Sequence, residues 1–373
     1  MVRLTRAQQQ ERTRASVLAA ARTEFTEHGY GPAKVDRIAE RAELTRGAVY
    51  SNFPSKRALY LAVLIDLVEN AAAGAPSTPP RSPVDALGGF ARAWLERLPL
   101  ADDTTSGGRL RLRSLDGVLD DGHGREVLAQ IVRLETLLLA IALESCEPAR
   151  AEPVRRVRLA ALVLTLLDGA SRLAETAPGS IDPFDVARAC QHLAGIDLAD
   201  AWAPPHLPYV APARPCRDTW DPPDGLADRI SGNPVHLGAD GLVTVLGAGR
   251  LGAAEEAVRS APSGEQVTVV VVVRDPAETG RLVRLRIADL TGCLRRVFPT
   301  AALPPLRLLL DEHGTVAAAL GIPVPDDEAD DETEAAVRVR DGAIVARAHG
   351  RGAAHAAATA HAPNTTQPRK TRR

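Results

Sequence analysis

Between Thr45 and Lys56, the side chains of Thr45, Arg46, Ala48, Tyr50, Ser51, Asn52 and Lys56 bring together the chemistry that reads and grips nucleic acid. A guanidinium can donate twice to the edge of guanine, and an asparagine amide can pair both ways with adenine. A phenol and an ammonium can reach phosphate oxygens, which fix position without reading sequence. A second stretch, GAGRLG at 247–252, has the GxGxxG spacing of a dinucleotide loop. Its glycines would admit a pyrophosphate to the backbone, the helix start in AAEEAVRS would offset the charge, and Asp275 after the next strand would meet a ribose hydroxyl. A lone GxGxxG is a weak signal, so no cofactor is assigned to it. Cys146, Cys190, Cys216 and Cys293 are far apart, with no CxxC pair and no Cys/His cluster. They read as buried or incidental thiols and offer neither a disulfide framework nor a zinc site.

The elements that must carry the first group are short. In VDRIAERAELTRGAVYSNF (35–53), apolar spacing gives two helices around a tight turn near Glu43 and Leu44. Ala39 is small enough for the helices to cross closely, Ile38, Leu44, Val49 and Phe53 supply a shared core, and Thr45 can cap the second helix. That is helix-turn-helix geometry. Its second helix, Thr45 to Phe53, would enter a major groove with Thr45, Arg46, Ala48, Ser51 and Asn52 outward, while Tyr50 and Lys56 reach phosphates. Taken alone, the same pair fits a helical hairpin with a solvated polar face. Charge adds to the binding reading: residues 1–60 hold eleven Lys/Arg against six Asp/Glu in a chain whose formal charge is −2.

The longer string decides between the two. RASVLAAARTEFTEHGY followed by VDRIAERAELTRGAVYSNFPSKRALYLAVL closely resembles the DNA-binding domain of the TetR family of bacterial repressors, from about residue 12 to 65. The resemblance implies a DNA-binding domain at 1–65 and a helical ligand-binding and dimerisation domain at 66–200. It further implies a cytoplasmic homodimer on palindromic double-stranded operator DNA, acting as a repressor that a small-molecule effector releases. Two positions depart from the family pattern. Ala33 stands where Thr or Ser usually caps a helix, and Glu43 stands where Gly is common in the turn. Two apolar stripes, Leu159 to Leu173 and Val186 to Leu193, serve either burial within one subunit or a dimer face. Trp94, Arg111, His123 and Arg133 are candidates for the pocket lining.

Beyond residue 200 the composition changes. The proline-dense stretch 201–225 reads as an extended linker. Residues 226–358 then read as a separate α/β domain: VTVVVVV (267–273) as a central buried strand, RLLLD (307–311) as another, and VRVRDGAIVAR (337–347) as a hairpin turning at Asp341-Gly342. A two-residue turn cannot join parallel strands, which argues against a dinucleotide fold. LLLDEHGTVAAALGI and AAVRVRDGAIVARAHG resemble a thioredoxin-like or peroxiredoxin-like domain, in which GAGRLGAA would occupy the place of the reactive-cysteine loop with no cysteine in it. The acidic run Asp326 to Glu334 reads as a solvated loop, and 359–373, ending RKTRR, as a disordered basic tail.

The fold expected is therefore an all-α helix-turn-helix and helical regulatory domain followed by a separate α/β thioredoxin-like domain. The protein is expected to be a regulator, not an enzyme, with no metal, no cofactor and no membrane partner. The alternative is a redox- or dinucleotide-responsive regulator or enzyme using the carboxyl-terminal domain. Removing 226–373 is expected to leave a folded, DNA-binding dimer.

Overall fold

The computed structural model describes residues 5–70, 78–96, 115, 117–146, 155–299, 306–322 and 331–360. The chain divides into two compact units, 1–201 with 273–304, and 202–272 with 305–373.

The first unit is helical. It contains α1 (Arg6–His28), α2 (Val35–Arg41), α3 (Arg46–Asn52), α4 (Lys56–Glu69), α5 (Pro83–Leu95), α6 (Gly122–Glu144), α7 (Val157–Thr176) and α8 (Pro183–Leu193). Local chemistry sets most of the starts. Thr5, Ser55, Ser82, Asp121 and Asp182 each accept from a first-turn amide, and Pro83 and Pro183 stand at first-turn positions where a missing N–H costs nothing. Gly29 ends α1 at a φ of 75°, its N–H donating to the Phe25 carbonyl at 2.8 Å. Phe25, Tyr30 and Tyr60 form an aromatic cluster, with Phe25 and Tyr60 edge to face at 4.9 Å, that fastens α1 to α4. Helix α4 is buried along almost its whole length, from Ala58 to Ile65 and at Val68.

The second unit is a six-stranded mixed sheet. Its strands are β1 (Arg214–Thr219), β4 (Gly241–Gly247), β5 (Val267–Val272), β6 (Leu306–Leu310), β7 (Glu334–Arg340) and β8 (Ala343–His349); β2 (Leu226–Ala227) and β3 (Pro234–Val235) make a separate small pair. The order is β1-β8-β7-β4-β5-β6, with β4, β5 and β6 parallel and the remaining pairings antiparallel. Helices α9 (Ala254–Ser260), α11 (Thr315–Ala319) and α12 (Ala353–Thr359) belong to this unit. The β-branched run of β5 is buried on both faces, as expected of a central strand. The β7–β8 hairpin turns at Asp341 and Gly342, both at positive φ (49° and 70°), as a two-residue turn of the favoured hand requires.

Two boundaries differ from the sequence reading. The proline-dense stretch 201–225 is not wholly linker, because 214–219 forms edge strand β1 against β8. Pro215 is tolerated there because an edge strand leaves one row of backbone groups outside the ladder. The stretch 226–358 is not one contiguous body either. Between β5 and β6 the chain forms α10 (Arg281–Arg295), and residues 273–304 group with the helical unit. Leu282, Val283, Leu285, Ile287, Leu290, Cys293 and Leu294 are all buried there, and α10 packs against α4, α5 and α6. Of the predicted low-complexity segments, 359–373 lies outside the described residues from 361, and Asp326 to Asp330 of the acidic run lie outside them too.

Candidate nucleic-acid interface and the helical cavity

The turn between α2 and α3 closes by a pair of backbone bonds: Glu43 N–H to Glu40 O at 3.1 Å and Leu44 N–H to Ala39 O at 2.9 Å. That pattern requires a left-handed residue between the helices, and Glu43 adopts it with a φ of 55°. Sequence departure and backbone strain therefore coincide at one position. The other departure, Ala33, is buried, and α2 has no side-chain cap of its own. The residue before α2 is tied to α1 instead, since Lys34 N–H donates to Glu24 Oε1 at 3.1 Å. Glu24 is fully buried, with Arg37 at 3.3 Å, His28 at 3.6 Å and Arg41 at 3.7 Å.

Helix α3 starts under Thr45, whose hydroxyl accepts from Ala48 N–H at 3.2 Å. Val49 and Phe53 face inward and are buried, while Thr45, Arg46 and Ser51 are exposed. Arg46 is paired with Asp36 at 3.3 Å and lies 5.5 Å from the centroid of the Tyr50 ring, so it is held on the outer face rather than swinging freely. Ser51 and Asn52 both donate to the Ala48 carbonyl, at 2.9 and 2.8 Å. Asn52 is half-buried, so pairing with a base requires it to release that carbonyl. Lys56 donates to the Gly31 carbonyl at 2.9 Å and sits 4.7 Å over the Tyr30 ring, where burial pushes its pKa down. An ammonium has three donors, so the Gly31 bond leaves others for phosphate.

A cavity of about 570 Å³ opens within the helical unit between α6, α7 and the residues Leu115, Gly117, Leu119 and Asp120. Its wall carries Arg125 from α6, Asp168, Ser171, Arg172 and Glu175 from α7, and Arg286 from α10. Of the residues named from sequence, Trp94 is one step behind that wall: it is buried and its Nε1 donates to Ser171 Oγ at 3.0 Å. His123 and Arg133 are exposed and off the wall, and Arg111 lies outside the described residues. Sequence reading missed Asp168, Arg172, Arg286 and Glu135. Glu135 had a signal, a single acid inside LETLLLAIAL, whereas Arg286 had none, because nothing local assigns α10 to this unit.

Glu135 and Arg286 form a buried two-pronged pair, Nε to Oε1 at 2.9 Å and Nη2 to Oε2 at 2.7 Å. Burial pushes the Glu135 carboxyl up to about 7; Arg286 opposes the rise, and Asp168 and Asp289 add to it.

The glycine stretch of the second unit has a different occupation from the one its spacing suggests. Gly247 N–H donates to Thr333 O at 2.8 Å and Gly249 N–H to Asp331 O at 2.7 Å. A Cβ at Gly247 would fall 2.3 Å from the Asp331 carbonyl oxygen, so the glycines admit a neighbouring stretch of backbone. Amides that a pyrophosphate needs are already engaged, and Arg250 is forked onto Glu334 (3.1 and 2.7 Å). Asp275 caps the wide turn at 276–280, accepting from Ala277 and Glu278 amides, and belongs to the helical unit.

A helix pair closed by a tight turn, with a capped outer helix carrying Arg46 and Ser51, defines a helix-turn-helix DNA-binding domain. Residues 17–63 match the family described as bacterial regulatory proteins, tetR family. The HTH-type transcriptional activator FasR of Mycolicibacterium smegmatis is 43% identical over 61 residues, which are 16% of this chain and 28% of that protein. The chain thus spans little more than a quarter of that relative's length. Among solved structures, a TetR transcriptional regulator from Rhodococcus sp. RHA1 is 19% identical, covering 50% of this chain and 94% of that one, with a TM-score of 0.29. NalD, the secondary repressor of the MexAB-OprM multidrug efflux pump in Pseudomonas aeruginosa, is 21% identical, covering 49% and 95%, with a TM-score of 0.31. Among the described residues, no helix is long and apolar enough to cross a membrane.

Proposed function

We propose that the chain is a TetR-type transcriptional regulator that binds a palindromic operator as a homodimer, represses from it, and is released when a small molecule fills the cavity between α6, α7 and α10. The observation that carries this reading is the α2–α3 geometry, in which Thr45, Arg46 and Ser51 are exposed and Ala48, Tyr50, Asn52 and Lys56 partly exposed around the outer helix. Two reading heads must meet successive major-groove faces about 34 Å apart, which a dimer provides. Leu162 and Leu173 on α7 are 42% and 47% exposed and Phe184 at the start of α8 is 81% exposed. Such side chains support a self-complementary interface.

Fluorescence anisotropy with DNA from upstream of its own gene, across a salt series, tests the reading. Tight binding with a steep salt slope supports it, and Lys56→Gln should lower affinity for every sequence and flatten the slope by about one unit. Absence of salt-dependent binding would overturn it. A reporter driven by the same DNA fixes the sign of regulation.

For the second unit we infer a thioredoxin-like topology kept for interaction or sensing. Supporting it are the order β5-β4-β7-β8, the parallel β4–β5 pair joined through α9, and the β7–β8 hairpin followed by α12. Its loop after β4 carries GAGRLGAA, which contains no thiol.

A further inference from the structure

Segment 273–304 supplies both part of the cavity wall and a clamp on the reading head. At one end, Arg286 lines the cavity and forks onto Glu135 of α6. At the other, Arg281 Nη1 donates to the Ala58 carbonyl at 2.9 Å and its guanidinium lies 5.3 Å from the centroid of Phe53. Glu278 accepts from the Ser55 hydroxyl and pairs with Arg57 at 3.1 Å. Ser55 caps α4, and Phe53 is the buried residue that ends the outer helix α3. Arg57 in turn reaches Asp121, the cap of α6, at 2.7 Å. The contacts form a closed circuit: α6 to α10 at Glu135, α10 to the α3–α4 junction at Phe53 and Ser55, and back to α6 at Asp121.

We propose that α10 is the transmission element of this regulator, carrying occupancy of the cavity from Arg286 to the junction that aims α3. The proposal rests on the effector-cavity reading given above. An occupant that competes for either prong of the Arg286–Glu135 fork changes how α10 is held. Because α10 is packed on both α4 and α6, it responds as a rigid body, and small helix shifts of this kind are amplified where packed interfaces have discrete arrangements. Its consequence falls on Phe53 and Ser55, so the angle between α3 and α4 is the output. Arg286 and Glu278 are positioning residues in this scheme; neither touches DNA.

A double-mutant cycle on the full-length protein tests the coupling, with operator affinity as the readout. Arg286→Lys keeps the charge and loses the fork, and Glu278→Gln weakens the clamp. Each should change affinity at least threefold, and the double variant should depart from the product of the two by fivefold or more. Arg284→Gln is the control: Arg284 is on α10 like Arg286, its half-exposed pair is with Glu69 at the far end of α4 from Phe53 and Ser55, and it should combine with Arg286→Lys to within twofold. Hydrogen exchange at residues 53–60 should quicken in Arg286→Lys and stay unchanged in Arg284→Gln. If Arg286→Lys fails to fold, Glu135→Gln enters the same link from the other side. A cycle that multiplies to within twofold, with wild-type protein binding the operator tightly, overturns the transmission role alone. Wild-type protein that binds no operator overturns the regulator reading and this inference with it.

Discussion

Three carboxylates carry consequences at the scale of the residue. Glu24 is fully buried between Arg37, Arg41, His28 and the Lys34 amide, so Glu24→Ala strips one backbone donor and two guanidinium groups of a partner. A loss of about 3 kcal/mol is expected, measured by urea unfolding. Glu43 is the opposite case. Holding a side chain in the left-handed region costs about 1–2 kcal/mol, and glycine returns roughly half of the gain as unfolded-chain entropy. Glu43→Gly should therefore stabilise the protein by about 0.5–1 kcal/mol, visible as a raised melting midpoint. Glu135 sets a pH dependence. Its carboxyl lies at about 7 in the folded protein against an ordinary 4.5, so between those values the folded state holds more protons than the unfolded. The contribution is full below about pH 4.5 and is lost as pH rises through about 7. Unfolding of wild type and Glu135→Gln compared from pH 5 to 8 should show wild type losing stability relative to the variant. A constant difference would count against it. These residues were unequally legible: Glu43 stood out against a family pattern and Glu135 against an apolar run, but the role of Glu24 in holding the approach to α2 is visible only once α1 and α2 are packed.

At the scale of the element, periodicity was a good guide wherever a segment packs against its chain neighbours. The α2–α3 pair and the β7–β8 hairpin lie where apolar spacing, the Thr45 cap and the Asp-Gly turn put them. β1 escaped because its strand character comes from β8, more than a hundred residues away, while its own prolines argue for a linker. The glycine loop, given no cofactor on its spacing alone, is the converse case. GxGxxG reports close approach to a backbone, and in this chain the approaching group is residues 331–333. A bulky substitution tests that directly: Gly247→Val should prevent folding of the sheet unit, since the new side chain would occupy the place of the Asp331 carbonyl. Folding with the sheet intact, by circular dichroism, would refute the crossing as the reason for this glycine.

Across the whole molecule, the decisive feature is that the helical unit is discontinuous in sequence. Seven apolar side chains of α10 are buried in it, each contributing roughly 2 kcal/mol, which together match or exceed the 5–15 kcal/mol by which a domain is stable. Removing 226–373, expected from sequence to spare the regulator, should instead leave residues 1–225 aggregated or molten and without operator binding. Co-expression of residues 273–304 as a separate peptide should restore a cooperative melting transition to it. A cooperatively folded 1–225 fragment without that peptide would show the groove closing by itself. Sequence alone placed a boundary at the proline-dense stretch because composition changes there; it had no means of showing that one helix crosses back.

That crossing also orders events during synthesis. A ribosome releases the amino-terminal helices with the groove for α10 still open, and it must translate about a hundred more residues before residue 304 is made. At about 5–20 residues per second, the apolar faces of α4, α5 and α6 wait roughly 5–20 s for their last partner. The reading head thus becomes complete only after residues 202–272 of the second unit have also been made.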